Sequence, residues 1–320
     1  RAAYTAFDAP DSASRVVVKE APQWLKPLVS QLLTCQGRGA LEAAVQRLSG
    51  ANTPRRRGVR DRYLSRIEVD VIIDTGPEDL HPRRMRGTAH FHTTDSDGKA
   101  SLQSMARACL RRGVQWAMVS DHSKGLEVAS GLDREGVRLQ RQRIDVWNRE
   151  HGDELRVFQG LEVEVLADGT LDVPLAERGE VDCVLAAVHT GLDPDRDQTE
   201  RLLRAVSSPR VHALAHPRSR HFHHRPGLRA RWEKVFAACT DNGVAVEING
   251  FPRRQDLDWE LSRLALESGC TFVVASDAHA VRHLEFDAYG CAIAMRAGLP
   301  SDRILNVRQS ESLEHWLVDR

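Results

Sequence analysis

The sequence lacks several features that mark specialised classes of protein. It contains six cysteines but no CxxC pair, and several cysteines stand inside apolar runs, which is typical of reduced core cysteines. No stretch approaches the roughly 20 apolar residues of a membrane helix, and no signal peptide is visible. These absences predict a cytoplasmic protein without disulfides that does not enter a membrane.

The chain also lacks a net charge, because Lys and Arg total 45 and Asp and Glu total 45 among its 320 residues. This balance indicates no particular partner. Residues 1–87 are nevertheless basic, with 15 Lys and Arg against 10 Asp and Glu, and a basic segment beside an acidic body is compatible with nucleic acid. The apolar fraction of 41% is sufficient for a packed core. The chain starts at Arg1 rather than Met, which leaves open whether it is a piece of a longer protein.

From Gly87 onward, short apolar runs rich in Val, Ala and Ile alternate with longer amphipathic stretches. Such runs are typical of strands buried on both faces, and their alternation with helices predicts a parallel sheet with crossover helices. Seven such units favour a closed barrel. The predicted strands begin at residues 87, 114, 156, 181, 211, 243 and 271, and the predicted helices lie at 101–113, 133–150, 197–207, 229–242 and 257–268.

Residues 1–80 follow a different pattern and are predicted to form a small N-terminal extension or module of helical and mixed structure. Two helices are predicted within 22–48, and one strand is predicted at 67-IEVDVIID. The basic connector at 54–62 could contact a phosphate backbone. The barrel is predicted to occupy 86–320, with the boundary inside 77-PEDLHPRRMR.

Almost every predicted strand ends in a residue type that binds metal ions. These residues are His90, His92, Asp121, His122, Glu162, Glu164, His189, His216, Glu247, Asp277 and His279. In parallel α/β folds the carboxyl ends of the strands converge on one face, so these side chains are expected to meet. Mixed imidazole and carboxylate ligands suit Zn²⁺, Mn²⁺ or Fe²⁺, and their number indicates two or three ions bridged by a carboxylate such as Glu162.

Seven segments resemble, in order, the motifs of the polymerase and histidinol phosphatase (PHP) domains, in particular the PHP domain of bacterial family X DNA polymerases. They are 86-RGTAHFHTTDSDG, 118-MVSDHS, 160-GLEVEVLADGTLDV, 185-LAAVHTG, 213-ALAHPRSR, 246-VEING and 274-VASDAHA. The resemblance covers residues 86–320, nearly three quarters of the chain. It implies a distorted (β/α)7 TIM-like barrel that holds up to three metal ions.

Carried over position by position, the resemblance implies nine metal ligands. They are His90, His92, Asp97, His122, Glu162, His189, His216, Asp277 and His279. By analogy, one ion would bind His90, His92, Glu162 and Asp277, a second Glu162, His189 and His216, and a third Asp97, His122 and His279. Glu162, Asp277 and His279 are also predicted to be catalytic. Thr88 stands where the family often has an acidic residue. Because that acidic residue is not among the nine ligands, we expect its replacement by threonine to tune the site without abolishing activity.

The resemblance implies a metal-dependent phosphoesterase in which metal-bound hydroxide attacks phosphorus, acting on DNA 3′ ends as a 3′–5′ exonuclease or 3′-phosphatase. Lys124, Arg218 and Arg220 follow ligand positions and are candidates for binding a substrate phosphate. Three alternatives stay open. The chain could be a phosphomonoesterase of histidinol-phosphatase type acting on a small phosphorylated metabolite, a metal-stabilised binding or regulatory module, or a metal-dependent amidohydrolase. The sequence does not indicate an oligomeric state.

Overall fold

The computed structural model of the chain describes residues 62–126 and 129–318. The two helices predicted within 22–48, and all but the last residue of the connector predicted at 54–62, lie outside the described residues. Leu64–Asp70 belong to one compact unit, and the residues from Val71 onward belong to another together with Tyr63. The boundary predicted inside 77-PEDLHPRRMR stays a prediction.

Seven parallel strands close into a barrel whose order follows the chain. They are β1 (Gly87–Phe91), β2 (Trp116–His122), β3 (Arg156–Glu164), β4 (Cys183–Ala187), β5 (Ala213–Leu214), β6 (Ala245–Asn249) and β7 (Phe272–Ala278). Strand β1 closes the barrel because it pairs with both β2 and β7. The predicted (β/α)7 TIM-like barrel is therefore confirmed.

Helices precede, connect and follow these strands. They are α1 (Arg66–Thr75), α2 (Leu102–Arg111), α3 (Arg134–His151), α4 (Leu175–Arg178), α5 (Thr199–Val206), α6 (Trp232–Asp241), α7 (Trp259–Glu267), α8 (Asp287–Ala297) and α9 (Ser310–Val318). The five helices predicted between strands correspond to α2, α3, α5, α6 and α7. Side-chain caps stabilise three of them: Ser101, Asp133 and Asp258 each accept a hydrogen bond from a backbone N–H in the first turn.

The segment 67-IEVDVIID was predicted to be a strand, and this prediction is wrong because the segment lies in helix α1. Ser65 and Glu68 form a capping box at the start of that helix. The backbone N–H and hydroxyl of Ser65 donate to Glu68 Oε2 at 2.8 Å, and the Glu68 N–H donates to Ser65 Oγ at 3.3 Å. The Ser-x-x-Glu spacing is a helix start signal in the sequence, and it outweighs the local alternation of apolar and polar residues.

The amino ends of the strands enclose an apolar core. Trp116 and Ala213, from the first positions of β2 and β5, share a buried cluster with Leu313 and Leu317 of α9. The Trp116 indole N–H also donates to the carbonyl of Arg308, which fixes the large ring in this core. Apolar side chains therefore fill the barrel at the amino ends of the strands, and the polar residues lie at the carboxyl ends.

The structure describes the state of the cysteines and the length of the helices in this part of the chain. Within residues 62–126 and 129–318, all five cysteines are free and buried, so none contributes a disulfide to this part of the chain. None of the helices formed by these residues has both the length and the apolar character needed to cross a membrane.

Gly87 lies directly against the ring of Trp116, with no room for a side chain. A Cβ atom at residue 87 would lie 1.8 Å from Cε2 of the fully buried Trp116 ring. We expect Gly87→Ala to lower the free energy of unfolding by about 1–3 kcal/mol, because the ring has no space to move. Urea denaturation measures this change. Gly179→Ala is the matched control, since its nearest atom would be 3.5 Å away, and an equal loss in both variants would contradict the prediction.

Candidate metal centre

The nine predicted ligands come together at the carboxyl ends of the strands, around the buried carboxylate of Glu162. Its Oε1 atom lies 2.7 Å from His216 Nε2 and 3.3 Å from His189 Nε2. Its Oε2 atom lies 3.2 Å from His90 Nε2 and 3.1 Å from His122 Nδ1. One carboxylate from β3 thus contacts imidazoles that follow or end four other strands, which is the geometry expected of a bridging ligand.

The remaining ligands extend this centre on one side. His92 Nε2 lies 3.2 Å from Asp277 Oδ1, and His279 Nε2 lies 3.3 Å from Asp97 Oδ2. The accessible part of the centre is here, because the Asp97 and His279 side chains are 36% and 24% exposed whereas those of His90, His92 and His216 are fully buried. A substrate would therefore approach from the side of Asp97 and His279.

Four groups of these side chains have ligand atoms close enough to share a cation. They are His92, Asp97, His122 and His279; His90, His92 and Asp277; His90, Glu162 and His216; and His122, Glu162 and His189. The first group contains the predicted set of Asp97, His122 and His279, and the second contains three of the four residues predicted for another ion but lacks Glu162. The other two differ from the prediction, because His189 and His216 contact Glu162 in separate groups. The partition of the ligands among ions stays a prediction.

The donor atoms fit divalent metal ions. Four buried atoms near the bridging position have no hydrogen-bond partner among the described residues: His90 Nε2, His122 Nδ1, His189 Nε2 and Glu162 Oε2. Leaving a buried polar atom unsatisfied costs about 1–3 kcal/mol. Cations coordinated by these nitrogen and oxygen atoms would remove that cost, and the mixed donor set suits Zn²⁺, Mn²⁺ or Fe²⁺.

Two further carboxylates orient the imidazoles. Glu247 Oε1 lies 2.5 Å from His90 Nδ1, and Glu164 Oε2 lies 2.7 Å from His189 Nδ1. Glu164 also accepts hydrogen bonds from the backbone and hydroxyl of Thr190. Each Nδ1 atom faces a carboxylate, and this contact orients the Nε2 atom of the same ring toward Glu162.

The backbone is left-handed at three of the ligands. The φ angles are 53° at His90, 28° at His216 and 51° at Asp277. Such conformations cost on the order of 1–3 kcal/mol for residues other than glycine, and they concentrate at functional sites. At His90 the left-handed residue coincides with a register shift in β1 against both of its neighbours. Surrounding structure therefore holds these side chains in position at the expense of regular strand geometry.

No family model matches the chain. Over 251 residues, or 78% of its length, the chain is 33% identical to the DNA polymerase/3'-5' exonuclease PolX of Bacillus subtilis (strain 168), of which it covers 44%. This similarity is consistent with the PHP domain that the seven motifs indicate. The chain is also 29% identical, over 38% of its length, to 51% of a protein named as a probable phosphatase from Aliivibrio fischeri (strain MJ11). The chain spans about half the length of both relatives.

Among solved structures, the PHP domain is similar to histidinol phosphate phosphatase from Lactococcus lactis, whose structure contains zinc, L-histidinol and phosphate. The TM-score is 0.48 at 14% identity, and the match covers 63% of this chain and 90% of the other. The two sequence relatives are named for an exonuclease and a probable phosphatase, and both activities act on phosphoester bonds.

The protonation of the PHP centre follows from burial and charge. Burial lowers the pKa of His122 and of His216 to about 4, so both imidazoles are neutral and can offer a lone pair at neutral pH. Burial raises the pKa of Glu162, but the imidazoles of His90 and His189 outweigh it and hold this pKa well below its usual range. The Glu162 carboxylate is therefore ionised.

Arg254 is a residue of this centre that the sequence reasoning missed. Its Nε atom forms an ion pair with Asp277 Oδ2 at 2.7 Å, and its Nη1 atom is buried without a hydrogen-bond partner among the described residues. The side chain is 18% exposed, so it lies at the edge of the pocket. Arg254 follows the carboxyl end of β6, and this position was the signal that could have found it.

The candidate substrate contacts lie elsewhere. The Lys124 side chain is 76% exposed at the surface. Arg218 Nη1 donates to the buried carboxylate of Asp258 at 3.1 Å. Arg220 Nε donates to two main-chain carbonyls, of residues 254 and 255, at 2.9 and 3.0 Å. Both arginines therefore support the loop that carries Arg254, and a contact of any of the three candidates with substrate stays a prediction.

Asp121 and Thr88 lie next to the ligands but outside the four groups. Asp121 accepts hydrogen bonds from the backbone and hydroxyl of Thr93, both at 2.7 Å, and from Ser96 Oγ at 2.5 Å, which holds the loop that leads to Asp97. Thr88 Oγ1 donates to the buried Asp287 at 2.8 Å. Thr88 therefore interacts with helix α8, and its effect on the metal centre stays a prediction.

We expect Glu247→Gln to weaken metal binding by about 10–100-fold, because an amide cannot stabilise the Nδ1–H of His90 as a carboxylate does. Competition with a metal-sensitive chelator measures the affinity of the PHP domain for Zn²⁺ or Mn²⁺. Glu233→Gln changes an exposed carboxylate on α6 and serves as the control. Equal affinities in the two variants would show that Glu247 does not support the metal ligands.

Proposed function

We propose that this PHP domain hydrolyses phosphoester bonds at the 3′ ends of DNA, as a 3′–5′ exonuclease or 3′-phosphatase, with two or three Mn²⁺, Zn²⁺ or Fe²⁺ ions. The observation that carries the proposal is the convergence of nine donor residues, with the buried carboxylate of Glu162 at their centre and Arg254 beside them. Similarity to a DNA polymerase/3'-5' exonuclease over 78% of the chain supports DNA as the substrate. A role in DNA repair in the cytoplasm belongs to the same proposal.

The residues of the centre prepare it for phosphoryl transfer. Divalent cations, when bound, activate water and neutralise charge on the phosphoryl oxygens. Glu247 and Glu164 hold His90 and His189 with their Nε2 atoms toward Glu162. Arg254 keeps its Nε–H on Asp277 and offers its remaining N–H groups to a phosphoryl oxygen.

His279 lies at the entrance to the metal centre. It is the most exposed imidazole among the nine predicted ligands, and its Nε2 atom lies 3.3 Å from Asp97. Its Nδ1 atom lies 2.8 Å from the Asp277 carbonyl, which fixes the orientation of the ring. We assign to His279 contact with the substrate at the entrance, in addition to its predicted place among the ligands.

The test is digestion of labelled DNA by the Mn²⁺-loaded chain. Single-stranded and 3′-recessed oligonucleotides carrying a 5′ label should shorten stepwise from the 3′ end. Asp277→Asn, prepared in the same way, controls for contaminating nuclease and should leave the DNA intact. Turnover of histidinol phosphate or p-nitrophenyl phosphate without DNA digestion would reject DNA in favour of a small phosphomonoester. Retained metal without turnover of any substrate would favour a binding module.

A further inference from the structure

The loop after β5 and the loop after β6 pack together beside the metal centre. The backbone N–H of Phe222 donates to the carbonyl of Arg253 at 2.7 Å, which joins residues 218–229 to residues 250–256. Arg254 in the second loop contacts Asp277 at 2.7 Å. The paired loops therefore continue directly into the pocket of the proposed phosphoesterase.

This surface is positively charged. Burial lowers the pKa of His221 to about 4, and His224, Arg254, Arg225 and Arg253 lower this pKa further. The strongest electrostatic influences on this ring are thus all positive. Among the described residues, no ion pair joins Arg225 or Arg253 to a carboxylate. Arg225 and Arg253 therefore leave a positive potential at the edge of the metal centre, whereas Arg254 is paired with Asp277.

Aromatic rings are interleaved with these arginines. The Phe222 ring packs edge-on against Tyr63 with centroids 4.9 Å apart, and its centroid lies 4.0 Å from that of His223. The rings of His221 and His224 are 4.7 Å apart. Phe222 is half-buried, while His223 and His224 are exposed. Positive charge combined with accessible rings is the composition that binds single-stranded nucleic acid, because arginines contact phosphates and rings stack on bases.

A separate metal site is a weaker explanation for the histidines of this loop. None of the four groups that could hold a cation, within the part of the chain that the structure describes, includes His221, His223 or His224. The neighbouring arginines would also repel a cation. The same positive potential attracts a polyanion.

We propose that residues 221–225 together with Arg253, here called the His/Arg surface, bind the single-stranded DNA that leads into the metal centre. Arg253, which is exposed, contacts a backbone phosphate, and the exposed imidazoles stack on bases. This inference rests on the proposed function and adds the form of the substrate. The domain acts on a single-stranded 3′ tail several nucleotides long, held upstream of the bond that is cleaved.

The test compares Arg253→Ala and the double variant His223→Ala/His224→Ala with the matched control Arg149→Ala. Arg149 is an exposed arginine in the last turn of α3, whose end leads to the amino end of β3, away from the strand ends that carry the metal centre. Each change is also introduced into Asp277→Asn, so that fluorescence anisotropy reports binding of a 20-nucleotide single strand without cleavage. The same variants without Asp277→Asn are assayed for turnover of p-nitrophenyl phosphate, which reports whether the metal centre is intact.

We expect Arg253→Ala to weaken DNA binding several-fold and to reduce the slope of log K against log salt concentration by about 0.7, the value for one phosphate contact on a single strand. The double histidine variant should weaken binding about fivefold or more through lost stacking. Both variants should turn over p-nitrophenyl phosphate at the parent rate, because a small ester does not reach the His/Arg surface.

The outcomes separate this inference from the proposed function. Unchanged DNA affinity and salt slope in both variants would overturn the His/Arg surface, whatever the parent chain cleaves. If these variants bind DNA more weakly but the unmodified chain cleaves only p-nitrophenyl phosphate, DNA binding by the His/Arg surface is supported and DNA hydrolysis is rejected. A loss equal to that of Arg149→Ala would show a nonspecific effect of charge and would also overturn the inference.

Discussion

Replacing Glu162 by glutamine is expected to lower the turnover of phosphoesters by about 10³-fold or more, since removing a single preorganised charge-stabilising group already costs about 10²–10³ in rate. Glu162 is buried, and its two oxygens lie within 3.3 Å of four imidazoles. Glutamine keeps the size of the side chain but loses its charge and one of the two acceptor oxygens. It therefore cannot bridge cations, and the variant should also retain less metal.

Two measurements check the prediction for Glu162→Gln. Steady-state turnover of p-nitrophenyl phosphate gives the loss of rate, and elemental analysis of the purified protein gives the metal content per chain. Glu267→Gln on α7, which alters an exposed carboxylate, should match the unmodified chain in both. Full turnover with normal metal content in Glu162→Gln would refute a bridging role for this carboxylate.

Replacing Arg254 by alanine is expected to lower kcat by about 100-fold with a smaller effect on metal content. Arg254 is not a metal ligand, yet its Nε atom pairs with Asp277 and its Nη1 atom has no hydrogen-bond partner among the described residues. A guanidinium can bind a carboxylate with one edge and a phosphoryl oxygen with another, whereas lysine offers only a point charge. Arg254→Lys should therefore recover only part of the activity.

The role of Arg254 is checked by chemical rescue. Adding guanidinium at millimolar concentration to Arg254→Ala should restore part of kcat, because the free cation can occupy the position of the lost side chain. Arg263→Ala, an exposed arginine on α7, is the control and should neither lose activity nor respond to guanidinium. Normal kcat in Arg254→Ala would show that this arginine only pairs with Asp277.

The arrangement of ligands at strand ends was predictable because it depends on local patterns. Short apolar runs identified the strands, and parallel strands place their carboxyl ends on one face of a barrel. Residues that ended those runs, such as His90, Glu162 and Asp277, were therefore expected to meet, and the structure brings them together. The one wrong element, α1, had its own local signal in the Ser65–Glu68 capping box, which the alternation of apolar residues obscured.

The sequence by itself determined the barrel and showed which strands end in residue types that bind metal ions, because strand periodicity and residue type are properties of short segments. Only the tertiary structure decided how the donors group, that Arg254 enters the centre, and that Arg218 and Arg220 support a loop. These features depend on the left-handed backbone at His90, His216 and Asp277 and on the packing of two loops. Residues far apart in the chain impose that geometry, so no local pattern records it.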